Sequence, residues 1–249
     1  IAKFSVGDFR IEAGLFRTTR ADPQTFATLQ LGTDATGRIN DLVVIADEDN
    51  RWLAYSGEVR LSRSINTGNI RHTLIAALRG RDQEREFGGQ QKISLGTSQT
   101  GIQDFRPKPV LSFGANDQSH VRQLTFGLQY NLQTTGGSQL SLAVQKARYR
   151  KATDFANVAL ADTVTRDAPL LVSANAGLAI TPSLTAYAGY VRGLEESAIA
   201  PDIAVNRSEA PPAIRTRQMD MGLRYAIAPH LALIAGVFEV KKPYFGIDA

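Results

Sequence analysis

The chain has 249 residues, 43% hydrophobic and 21% charged, and a formal charge of +4 from 28 Lys and Arg against 24 Asp and Glu. That balance excludes a polyelectrolyte tail, a collagen and a coiled coil, and fits one large β domain or two smaller ones. With no Cys, disulfides, thiolate zinc sites, iron–sulfur clusters and cysteine nucleophiles drop out together.

Period-two alternation begins near the start. Phe9, Ile11, Ala13 and Leu15 oppose Asp8, Arg10, Glu12 and Gly14 in a predicted strand over 3–17. Successive side chains of a strand point to opposite faces, so this segment is oily on one side and polar on the other. Past a long excursion at 18–51, Leu53, Tyr55, Val59 and Leu61 alternate with Glu58, Arg60 and Ser62 in a strand at 52–64. Asn66-Thr67-Gly68-Asn69 turns the chain into 70–82, which is apolar on both faces until Arg79 and Arg81. A second excursion at 83–117 has local hairpin character, with strand-like pieces at Lys92 to Leu95 and Val110 to Phe113. The clearest strand, 118–132, sets Leu124, Phe126, Leu128, Tyr130 and Leu132 against Thr125, Gly127, Gln129 and Asn131.

Thr134-Thr135-Gly136-Gly137 leads into 139–152, where the register of Leu140, Leu142 and Val144 runs into Lys146 and Arg148. That run predicts either a bulge or a strand rising above a membrane. A third excursion at 153–167 precedes strands at 168–180 and 184–195, joined by Thr181-Pro182-Ser183. After a fourth at 196–213, Met219, Met221, Leu223, Tyr225 and Ile227 oppose Gln218, Asp220, Gly222 and Arg224 in 214–227. Ala228-Pro229-His230 then turns the chain into a last strand at 231–241.

The connections alternate strictly, long then tight. Loops beyond about fifteen residues are uncommon in compact domains, and tight turns built from Gly, Asn and Pro close hairpins. In a meander, alternate connections fall at the same end, so every tight turn lies at one rim and every long loop at the other. Transmembrane barrels have that asymmetry, with short periplasmic turns and longer extracellular loops. A sandwich with Greek-key crossings has no reason to sort its loops so. The longest apolar run, Leu231 to Phe238, is too short for a membrane helix. The expected fold is therefore all-β, an antiparallel up-and-down transmembrane β-barrel of which about nine strands are present. Arg or Lys on the lipid face near the midplane costs about 2–4 kcal/mol, and Arg10, Arg60 and Arg224 avoid it by lying on the polar parity. Tyr130 and Tyr225 lie on the apolar parity just before tight turns, where an interfacial aromatic girdle belongs.

On these residues the chain resembles the barrel of a TonB-dependent outer-membrane receptor of the siderophore-uptake type, well over 52–245 and weakly before that. The most specific stretch is Leu184 to Phe245. There Tyr187, Tyr190, Arg192 and Gly193 end one strand, and Pro211, Pro212, Arg217, Gln218, Gly222, Arg224 and Tyr225 open and fill the next. Phe238, Lys242 and Pro243 follow the tight turn. Gly57-Glu58-Val59-Arg60-Leu61 and His72 through Arg81 match earlier barrel strands of such receptors. The resemblance implies a bacterial outer-membrane location, a lipid bilayer around the wall, a ferric siderophore or similar small ligand, and a TonB complex as energy source. It also implies a plug domain, a TonB box, twenty-two strands and a terminal aromatic residue. Nine is an odd number and the chain stops at Ala249, so 1–249 is expected to be a partial barrel domain, an internal piece of a longer receptor.

Other chemistries find no pattern. His72, His120 and His230 lack ligand spacing, and no metal or cofactor is predicted. Asp47-Glu48-Asp49-Asn50 lacks the Gly and the twelfth-position Glu of a calcium loop and reads as a solvated acidic loop. Asn206-Arg207-Ser208 is a weak glycosylation triplet. Ser62 or Ser64 with His72 or His120 is the nearest thing to a nucleophile and base, and nothing singles it out, so no enzyme and no catalytic residue is predicted. The arginines are dispersed over strands and loops, against a nucleic-acid partner. Ligand-binding residues stay unassigned, because any wet barrel wall carries solvated arginines. A passive porin shares the same alternation, and a soluble all-β binding module is the reading from another class.

Overall fold

The computed structural model describes residues 1–196 and 213–243, and there the alternating segments form one antiparallel sheet. Its strands begin with β1 (Ala2–Val6), β2 (Phe9–Leu31), β3 (Arg38–Ile39), β4 (Asp41–Thr67) and β5 (Ile70–Gly88). Then come β6 (Gln91–Ser94), β7 (Ser98–Gln99), β8 (Asn116–Thr134), β9 (Gln139–Asp154) and β10 (Thr163–Asp167). The last are β11 (Leu170–Ala179), β12 (Leu184–Glu195), β13 (Ile214–Ala228) and β14 (Leu231–Lys241). Neighbours run in the order β1-β2-β4-β5-β8-β9-β11-β12-β13-β14, each strand beside the one before it along the path. The sheet does not close among the described residues, since β1 pairs only with β2 and β14 only with β13.

Directly opposed residues share a face, so the pairing register assigns every side chain to one of two surfaces. Val121 (1% exposed), Ala147 (0%), Tyr149 (5%) and Thr125 (5%) share one face, the inner one. Leu124 (48%), Leu128 (49%), Met221 (61%) and Leu223 (48%) lie on the outer face with no second layer against them among the described residues. A water-soluble sheet would cover such a surface, because large contiguous apolar patches are rare on soluble monomers. Among the described residues no helix is long and apolar enough to cross a membrane. The architecture is the expected all-β meander with lipid-compatible grease outside and polarity inside.

The tight turns fall where expected. Thr67 and Ile70 pair across Gly68–Asn69, and Gly68 has φ 57°, a backbone conformation that costs glycine nothing. The segment at 3–17 differs: Gly7, also at φ 57°, and Asp8 fold it into β1 and β2, paired from Val6–Phe9 to Ala2–Ala13. The path therefore has ten strands in place of nine.

The excursion at 18–51 is also mostly strand. The β2–β4 ladder runs from Phe9–Arg63 up to Leu31–Asp41. A span needs about 9–11 residues, and β4 has 27, so this hairpin stands far above any bilayer. Outside lipid neither face has to be apolar, which is why period-two alternation fails to mark a ladder held by its backbone hydrogen bonds. Asp47-Glu48-Asp49-Asn50 accordingly lies within β4 and is no loop. Asp22 pairs with Asn50 and Gln24 with Glu48, leaving Pro23, which has no N–H, across from Asp49 at φ 54°.

In 83–117, Gln91–Ser94 adds to the edge of β4, β7 pairs with β3, and Val110 to Phe113 forms no strand. In 153–167, β10 folds back on β9. No bulge interrupts β9, which pairs with β8 without a register shift from Gln133–Gln139 to Gln118–Asp154. The excursion at 196–213, Asn206-Arg207-Ser208, Pro211, Pro212, Phe245 and Ala249 lie wholly or mainly outside the described residues.

Candidate functional site

Lower on the inner wall several charges neutralise one another, while Arg71 and Arg224, also on the inner parity, make no ion pair among the described residues. Arg10 Nη2 donates to Glu12 Oε1 at 2.6 Å, and Arg60 Nη2 to Glu58 Oε1 at 2.5 Å. Glu58 also meets Arg79 Nε at 3.8 Å, and Arg79 Nη2 donates to Gln145 Oε1 at 3.2 Å. Gln129 continues the polar surface through Asn131 and Ser141. Each member comes from alternate positions of neighbouring strands, so period two alone delivers it to the interior. Arg10 and Arg60 face inward as their parity predicts, engaged in pairs exposed enough to contribute at most about 1 kcal/mol each.

A different arrangement occupies the upper inner wall. Leu194 and Arg215 are directly opposed on β12 and β13, on the parity that faces outward lower down. At the top, however, Leu194 packs against the buried cluster of Val121, Tyr149 and Ala213. Arg215 Nη2 donates to Asp167 Oδ1 of β10 at 2.8 Å. The tops of β12 and β13 thus lean in over β8, β9 and β10. At this crossing Glu196 accepts from Lys151 Nζ at 3.0 Å and stands 3.4 Å from Arg81 Nη2. Lys151 is almost fully buried here. Glu195 adds a pair with Lys242. Arg81 Nε and Tyr149 Oη are buried without a hydrogen-bond partner among the described residues.

Unpaired buried donors are costly. Here they belong to a guanidinium and a phenol at the mouth of the inner wall, beside a lysine and a second arginine. Glu196 already engages Arg81 and Lys151, and Asp167 engages Arg215; the donors left over, Arg81 Nε and Tyr149 Oη, are of the kind that carboxylate-type oxygens accept from. Sequence reading left these residues unassigned. Lys151 and Tyr149 lie in the segment whose parity the outward Lys146 and Arg148 obscured, and Glu196 joins Arg81 across 115 residues of chain.

The histidines separate. His72 faces outward, hydrogen-bonded to Tyr130 Oη at 2.8 Å with the two rings stacked, so it belongs to the rim where Tyr130 was expected. Ser62 and Ser64 lie on the inner parity, on the opposite face of the sheet from His72, and the nucleophile–base pairing has no geometry. His120 approaches Asp82 and Glu84 so that one ligand-type atom of each lies within 4.8 Å of the others, a grouping the sequence spacing did not suggest. Asp82 is already engaged by His120 at 2.8 Å and Arg122 at 3.0 Å.

An open antiparallel meander, greasy outside and charged inside, with tight turns at one rim and tall hairpins at the other, has the form of the wall of an outer-membrane β-barrel. No family model and no curated protein matches the chain. Among solved structures it superposes on BauA, the ferric preacinetobactin receptor of Acinetobacter baumannii, with a TM-score of 0.72 and 18% identity, covering 96% of this chain and 36% of that one. On the siderophore receptor PiuA of the same organism the TM-score is 0.75 at 12% identity, covering 94% of this chain and 38% of that one. On the ferric-catecholate import receptor Fiu of E. coli K12 it is 0.72 at 14% identity, covering 95% and 39%. The chain spans well under half the length of these receptors. Its fold is that of part of the barrel of these siderophore and ferric-chelate receptors. The proteins it superposes on are transport receptors, not enzymes.

Proposed function

We propose that residues 1–249 form part of the barrel domain of a bacterial outer-membrane receptor that takes up a scarce anionic ligand of the ferric-siderophore class. The plug, the TonB-contacting segment and the remaining strands belong to the protein outside this stretch, and the energy comes through TonB. The observation that carries the reading is the upper inner wall, where Arg81, Lys151, Arg215 and Tyr149 converge above a sheet of this fold. Iron chelators present hydroxamate, catecholate or carboxylate oxygens, which such donors grip by charge-assisted hydrogen bonds. Likeness to the ferric preacinetobactin, siderophore and ferric-catecholate receptors supports the same class.

The test is uptake of radiolabelled iron chelates by cells that carry the intact gene, the gene deleted, or the gene without a working TonB. Saturable uptake that disappears in both altered strains is expected. Uptake that persists without TonB and rises linearly with concentration would mean a passive porin and overturn the reading.

A further inference from the structure

The outer face above the apolar belt carries a charge pattern that neither transport nor folding explains. Arg122 of β8 stands directly opposite Arg150 of β9, and Arg150 directly opposite Arg166 of β10, so three arginines lie abreast on one surface. Opposed side chains on antiparallel strands sit about 4.5–5.5 Å apart at Cβ, and like charges so placed are destabilising. Asp82, opposite Arg122 on its other side, binds that guanidinium at 3.0 Å. Arg148, two residues below Arg150, adds a further cation opposite Leu124. Among the described residues Arg148, Arg150 and Arg166 have no ion pair at all.

Immediately below, the surface changes character. Gly57 and Gly80 are paired and bear no side chain, and with Leu15 and Leu124 they shape a groove of about 560 Å³ whose upper rim is Arg122 and Arg150 and whose flank is Arg148. Leu15, Leu124 and Phe126 are all exposed there. The cations therefore cap an apolar trough that opens toward the bilayer.

We propose that this trough is a binding site for a phosphorylated lipid of the outer leaflet, its phosphate bridging Arg148, Arg150 and Arg166 and an acyl chain lying over Gly57 and Gly80. The proposal rests on the barrel reading, which places this face in lipid. Charge complementarity selects the occupant: a bridging phosphate turns the repulsion among abreast arginines into paired contacts, with guanidinium forks matching its oxygens. A free anion would use the rim and leave the trough empty; a zwitterionic lipid would leave the net positive charge unbalanced.

The test uses the intact protein carrying this chain, in nanodiscs of phosphatidylcholine with and without phosphatidic acid, and reads retained lipid by native mass spectrometry. The wild type is expected to hold phosphatidic acid roughly thirtyfold more tightly than the R148Q/R150Q variant, whereas Arg224→Gln on the inner face leaves retention unchanged. Equal retention by wild type and R148Q/R150Q overturns the proposal. Full displacement by inorganic phosphate overturns it too, since the site would then take a free anion. If R148Q/R150Q does not insert, a salt series on the wild type decides: retention that falls as salt rises upholds the site, and salt-independent retention overturns it. A wild type that enters neither bilayer overturns the barrel reading itself, whereas one that inserts without lipid preference overturns this proposal alone.

Discussion

Glu196 holds Lys151 and Arg81 together at the top of the inner wall, with Lys151 nearly out of solvent. Glu196→Gln leaves two cations without their shared carboxylate and is expected to destabilise the folded protein by about 1–3 kcal/mol, read as a lower urea midpoint. The same change should weaken discrimination among anionic chelates in binding assays more than it weakens expression. Leu128 and Gln129 are neighbours in sequence with opposite surroundings. Leu128→Arg on the outer face is expected to cost about 2–4 kcal/mol in bilayer folding titrations, whereas Gln129→Arg on the inner face should be tolerated. That contrast was legible in the bare sequence, because parity alone separates the two. Glu196 was not, since it lies just past the end of its strand and its partners come from β5 and β9.

At the level of single elements, β12–β14 show why particular residues recur in the motif at 184–245. Tyr187 is directly opposite Gly222, and Gly222 opposite Gly236, so one ring covers two residues that have no side chains. A Cβ at Gly222 would collide with the backbone carbonyl oxygen of Ala235 and stand 2.6 Å from Tyr187 Oη, and only the second clash is relieved by removing the ring. Gly222→Ala is therefore expected to cost about 1–3 kcal/mol by overpacking, and the double variant with Tyr187→Ala less than the sum of the two, as a double-mutant cycle of melting temperatures would measure. At the tip above β2 and β4, Asp34 accepts from Thr36 Oγ1 at 2.7 Å and from the Thr36 and Arg38 amides. These bonds, that from the Thr36 hydroxyl foremost, hold its carboxyl below the ordinary 3.8. A depressed carboxylate contributes fully above its ordinary value and loses that contribution as pH falls through the folded one. The Thr36 and Arg38 amide shifts should therefore be constant at neutral pH and titrate only below 3.8, and Asp34→Ala should abolish the titration. Neither the tall β2–β4 hairpin nor this tip was visible beforehand, since both lie where no hydrophobic face has to be formed.

For the molecule as a whole, the two edges of the sheet decide what this stretch can do by itself. In hydrocarbon each unpaired backbone group costs several kcal/mol, and both β1 and β14 have an edge without a partner among the described residues. Residues 1–249 expressed alone are expected to be stripped from liposomes by alkaline carbonate, whereas the intact protein stays with the lipid on flotation. Retention of the isolated stretch would show that it closes or assembles with copies of itself. The strict order of neighbours agrees with the long-short rhythm of the loops, so topology was readable before any coordinates.

The sequence by itself determined the strand periodicity, the outward and inward faces of the crossing segments, and the rim at which each connection lies. All three follow from local spacing, because a period of two and a tight turn need no knowledge of distant residues. Only the tertiary structure decided what lies beside what across the sheet. It brought the tops of β12 and β13 inward against Tyr149 and Val121, and it aligned Arg122, Arg150 and Arg166 on the outer face. Such neighbours are set by cross-strand register, which depends on how far each hairpin climbs before it turns, and above the lipid no oily face records that length.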